Sequence, residues 1–134
     1  MNESTLNWLK FAQSDLETIK EIIHNEDLTH VTAFHSQQCI EKSFKAIIEE
    51  YQLSEHIRTH NLLTLYKITS QVVNFKVNED LLELVNKLYI DSRYPGEIGL
   101  LSYGKPKITD AKKFYKLAQE IYDNVYKKLT STEK

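Results

Sequence analysis

All three glycines (Gly96, Gly99, Gly104) and both prolines (Pro95, Pro106) fall between residues 95 and 106, so nothing in the backbone of the other 122 of 134 residues interrupts a helix. Hydrophobic periodicity agrees with that freedom. Leu9, Ala12, Leu16, Ile19 and Ile23 recur at spacings of three and four, an amphipathic helix capped by Ser4 or Thr5 and ended by His24 to Asp27. A second helix runs from about Thr29 to Tyr51. Thr59 is the expected cap of a short helix with Leu62, Leu63, Leu65 and Tyr66, and Asn78 that of a helix with Leu81, Leu84, Val85 and Leu88, ending near Asp91. After the Gly/Pro window, Thr109 is the expected cap of a last helix with Phe114, Leu117, Ala118, Ile121 and Val125 on its apolar side. Val73, Phe75 and Val77 alternate as a strand would, but with no second strand to pair with they read as an extended connection. The expected fold is all-α: an antiparallel, up-down bundle of four long helices and one short one, in a single domain over residues 1–134.

The second helix divides into three stripes where a surface helix needs two. Ile40, Phe44, Ile47 and Tyr51 are large and apolar; Thr32, Ser36, Cys39, Ser43 and Ala46 are small; His35, Gln38, Lys42 and Lys45 are polar, with Glu41 bordering the apolar stripe. Small side chains allow a close approach, either to another helix of the same chain or to a second protomer. The single Cys39 excludes an internal disulfide and a multi-thiolate metal site, and its place in the small stripe suits a buried free thiol in a reducing compartment.

Several function classes are excluded by what is missing. There is no P-loop, Rossmann fingerprint, zinc spacing or nucleophile elbow. The five histidines are scattered; His56 to His60 is the densest group and has no carboxylates beside it to complete a metal site, so neither metal nor cofactor is expected. No window approaches the roughly 20 apolar residues of a membrane span, and Met1 to Lys10 has no apolar core of a signal peptide, so the expected location is the cytoplasm. Net charge is −2, with a balance of −6 over residues 1–104 and +4 over residues 105–134. A basic last helix either contacts an anionic partner or is a solvated face. Arginine is rare, two against fifteen lysines, which marks Arg58 and Arg93 as candidates for a bidentate grip on carboxylate or phosphate, with a structural ion pair as the alternative for Arg93.

Three short elements resemble the HEPN domain, a helical module of prokaryotes and higher eukaryotes associated with nucleotide and RNA chemistry. They are Gln38 followed by Glu41-Lys42 and Lys45-Ala46, then Thr59-His60-Asn61-Leu62, then Arg93-Tyr94-Pro95, in the family's order over about residues 5–127. The resemblance implies an antiparallel bundle, commonly a homodimer, often encoded beside a small nucleotidyltransferase as a two-component or toxin–antitoxin pair. Many members are metal-independent ribonucleases that use Arg-x4–6-His. This chain lacks that dyad: Arg93 meets Ile98, Gly99 and Leu100 at those spacings, and Arg58 meets Leu63, Thr64 and Leu65.

Three readings follow. In the first, a non-catalytic binding module, Gln38, Glu41, Lys42, Lys45, His60, Arg93 and Tyr94 line one polar groove for a nucleotide, an RNA segment or a partner nucleotidyltransferase, with Glu41 orienting Lys45 or Arg93. In the second, a dimeric ribonuclease, His60 acts as general base and Arg93 stabilises the phosphorane. In the third, a structural or interaction protein, the polar stripe faces solvent.

Overall fold

A computed structural model describes residues 1–55, 58–91 and 105–131. It has five α-helices: α1 (Glu3–Ile22), α2 (Thr29–Tyr51), α3 (Leu62–Thr69), α4 (Glu79–Asp91) and α5 (Ile108–Ser131), with a 3-10 turn at Glu26–Leu28 before α2. No strand occurs among the described residues, and the stretch from Val72 to Val77 is an irregular connection that lays Val73 on the core. The all-α antiparallel bundle inferred from periodicity is the fold observed.

Helix α2 is the central element, packed against α1, α5, α3 and α4. Its large apolar stripe supplies Ile40, Phe44 and Ile47, all fully buried with Leu62, Leu65, Leu82 and Val85. The small stripe is internal too: Thr32, Ser36, Cys39, Ser43 and Ala46 are buried, and the Cys39 thiol lies 3.9 Å from the Ala118 carbonyl of α5. Close approach here joins helices of one chain. Burial, then the nearby Asp15 charge, pushes the Cys39 thiol far above its ordinary range, so it is no nucleophile at neutral pH.

Cap positions differ from the sequence expectation at three helices. Asn2, ahead of Ser4 and Thr5, caps α1 by accepting from the Thr5 N–H at 2.8 Å. Its own N–H donates to Glu50 Oε1 of α2 at 3.0 Å, as does the Thr5 hydroxyl at 3.0 Å, so a tertiary contact selects the cap. The Asn2 N–H, against a smaller cost of burial and with help from Thr5, holds Glu50 below the usual glutamate range. Asn61 caps α3 through the Leu63 and Thr64 N–H groups, while Thr59 accepts from the Asn61 N–H one step earlier. Thr109 lies inside α5, where the Lys107 N–H donates to Asp110. Asn78 caps α4 as expected, accepting from the Leu81 N–H at 3.1 Å.

With no glycine near its end, α2 stops on Gln52 in the left-handed region (φ 49°, ψ 50°), and the Leu53 N–H returns to the Ile48 carbonyl at 3.0 Å. Such a position favours glycine because a Cβ there crowds the backbone. Gln52→Gly should therefore raise stability by about 0.5–1 kcal/mol in urea unfolding. Phe44→Ala should cost about 3–5 kcal/mol, whereas Phe11→Ala, at a side chain 59% exposed, should stay within about 0.5 kcal/mol of wild type.

Candidate functional site

At Glu41 the helix turns a carboxylate into the bundle, and burial of a charge demands partners. It has three. Lys45 Nζ, one turn on, donates to Oε2 at 2.8 Å; Gln37 Nε2, one turn back, donates to Oε1 at 3.1 Å; and His60 Nδ1 lies 3.0 and 3.1 Å from the two oxygens. Gln37 is fully buried and Lys45 nearly so, while half of the His60 side chain is exposed. Gln38 Nε2 donates to Gln37 Oε1 at 2.7 Å, extending the network to the surface.

Several elements hold His60 in place. Its carbonyl accepts from Gln37 Nε2 at 3.1 Å, the following Asn61 caps α3, and the Leu62 N–H donates to Asn86 of α4 at 3.0 Å. Since a carboxylate only accepts, the proton of a neutral His60 sits on Nδ1, and Nε2 presents a lone pair outward. The arrangement orients an imidazole for hydrogen bonding or proton transfer at that nitrogen. Burial pushes the Glu41 carboxyl upward, but the hydrogen bonds from Lys45, Gln37 and His60, with the Lys45 charge, outweigh it and keep the carboxyl below its ordinary 4.5.

Lys42 belongs to a second set of the same composition. Asp15 of α1, buried, accepts from Lys42 Nζ at 2.8 Å and pairs with His35 Nδ1 at 2.8 Å. Aromatic rings connect the two sets: Phe34 meets His35 edge-on at 5.2 Å and stacks on Tyr89 at 5.6 Å, and Tyr89 lies 6.1 Å from His60. On the far side of Lys45, its ammonium sits 5.4 Å from the Trp8 ring. A cavity of about 240 Å³ there is lined by Trp8, Lys45, Glu49, Glu55 and the rare Arg58.

Of the residues the sequence points to, Gln38, Glu41, Lys45 and His60 are brought together, and Lys42 is drawn off to Asp15. Arg93, Tyr94 and Pro95, and His56, lie outside the described residues. Four participants were missed: Gln37, Asp15, Phe34 and Tyr89. Asp15 carried a usable signal, because three residues after Ala12 and next to Leu16 it falls on the apolar face of its helix, where a charge requires a partner. Among the described residues no three His, Cys, Asp or Glu side chains converge as a metal site, and no helix is long and apolar enough to cross a membrane.

A sequence model of the HEPN domain matches residues 5–129. The crystal structure of an archaeal HEPN homologue superposes with a TM-score of 0.67 at 26% identity, covering 94% of this chain and 97% of that one. Comparison with curated proteins gives no match.

A carboxyl held below its ordinary value stabilises the fold above that value and loses the contribution as pH falls through its native one. Glu41→Gln, which leaves the buried Lys45 without a counter-charge, should cost roughly 3 kcal/mol at pH 7. The gap to wild type should stay level above pH 4.5 and narrow below it, as the wild-type carboxyl protonates. Urea unfolding followed by circular dichroism from pH 7 downward measures the gap; a constant gap would contradict the assignment.

Proposed function

Since the chain belongs to the HEPN domain family, we propose that it is a non-catalytic helical module that holds a nucleotide or a segment of RNA against the polar face of α2. The observation that carries this reading is the buried support behind an exposed imidazole. Gln37, Glu41 and Lys45 occupy positions that apolar side chains would fill with comparable stability, because the desolvation of a buried ion pair cancels most of its attraction. What the pair adds is a His60 ring fixed in orientation with Nε2 outward, next to Gln38. Groups of this kind form directional hydrogen bonds to phosphate or base edges, and the partly exposed Phe34 supplies a ring for a base to stack on. The family resemblance adds Arg93 and Tyr94 to this reading, residue types suited to a bidentate phosphate contact and to stacking on a base. The module works in the cytoplasm as a homodimer with a small nucleotidyltransferase as its partner.

One observation favours RNA cleavage as a second reading: an imidazole braced by a buried carboxylate is the usual form of a general base. The missing Arg-x4–6-His dyad weighs against it.

Fluorescence titration of the single Trp8 with AMP, ATP and oligouridylate at low salt tests the binding reading. Wild type should bind, His60→Ala and Gln38→Ala should each weaken binding by about tenfold, and Arg93→Ala should weaken it further. Binding unchanged in all three variants overturns it. Cleavage of end-labelled RNA by wild type but not by His60→Ala would establish the second reading instead.

A further inference from the structure

A depression of about 560 Å³ lies away from α2, between α4 and α5. These two helices meet sparingly. Leu81 and Leu84 of α4 are half-buried and form one wall; Leu117 and Ile121 of α5 form the floor. The rim is charged and uneven: Lys76, Lys113 and Lys116 stand exposed around it, against Asp80 and Glu120. Among the described residues none of the three lysines has an ion-pair partner. At its far end, where Asn124 is common to both, the groove continues into a second one of about 500 Å³ carrying Lys127 and Lys128. Four lysines of the basic last segment, Lys113, Lys116, Lys127 and Lys128, thus line this partly apolar channel.

We propose that this groove docks an acidic amphipathic helix of a partner protein. The half-buried Leu81 and Leu84, at i, i+3 on α4 above a floor of buried Leu117 and Ile121, offer an apolar wall of the kind an amphipathic helix packs against. From Lys113 to Asn124 the groove follows twelve residues of α5, eleven rises or ~16 Å at 1.5 Å per residue, the length of three helical turns. Exposed, unpaired lysines on the rim select carboxylates flanking the apolar face of the partner. Nucleic acid fits less well: there is no aromatic ring along this part of the groove to stack a base, and Asp80 and Glu120 repel a continuous run of phosphates.

The test uses a fluorescein-labelled helical peptide of about 14 residues with leucines on one face and glutamates flanking them, a scrambled peptide of the same composition, and an oligouridylate of equal charge. Fluorescence anisotropy with the full-length chain should show binding of the amphipathic peptide, at least about tenfold tighter than the scrambled one. The double variant Lys113→Glu/Lys116→Glu should weaken it by about tenfold or more, an effect that shrinks at high salt. Leu84→Gln, at a half-buried side chain, should weaken it at all salt concentrations. Circular dichroism checks that both variants are folded, and amide chemical-shift changes in the chain should centre on Leu81, Leu84 and Leu117. No binding, equal binding of the scrambled peptide, insensitivity to the lysine variant, or shift changes centred elsewhere overturns the proposal; tighter, lysine-dependent binding of oligouridylate reassigns the groove to nucleic acid.

Discussion

Packed against four other helices, α2 keeps only a narrow solvent-facing stripe through Phe34, His35, Gln38, Lys42 and Glu49, and that condition shapes the rest of the molecule. Ordinary amphipathic helices send their polar residues to water; α2 can send few, so it must find partners for them inside the bundle. On the side of α5 small residues let the backbones approach, with the Cys39 thiol 3.9 Å from the Ala118 carbonyl, and the Ser43 hydroxyl turns back to the Cys39 carbonyl of its own helix. On the opposite side the demand is met by ion pairs, with Glu41 taking Lys45, Gln37 and His60, and Lys42 and His35 taking Asp15.

The location of the candidate site follows from that arrangement. His60 belongs to the connection between α2 and α3. Glu41 and Gln37 tie its ring and its carbonyl to the most constrained helix in the fold. A loop residue thus acquires the positional precision of a helix residue, which is what directional recognition requires.

Element types and the bounds of α2 were legible because periodicity and the confinement of glycine and proline act locally. Cap positions were not, because Asn2, Ser4 and Thr5 are all competent caps and the choice falls to Glu50, a residue 48 positions away. The same division holds at the site. Glu41 and Lys45 were readable as an i, i+4 pair on one helix, and His60 through the family resemblance. Gln37 was hidden because its role depends on the carbonyl of a loop, and Tyr89 because an aromatic on a helical stripe has the same signature whether it only packs or also touches a histidine. Lys42, alike in sequence to Lys45, parted from it when α1 presented Asp15.

The polar contacts between α1 and α2 also act as a ruler. Near one end Asn2 and Thr5 grip Glu50; thirteen residues along α1 from Asn2, Asp15 grips His35 and Lys42. Sliding one helix along the other by a single turn, about 5.4 Å, would strip the buried Asp15 of its partners and break the Asn2 and Thr5 bonds to the partly exposed Glu50 at the same time. An apolar seam alone would tolerate such slippage; this one cannot. The register between α1 and α2 is therefore set at two separate polar marks, and with it the placement of Glu41 and His60 relative to α1.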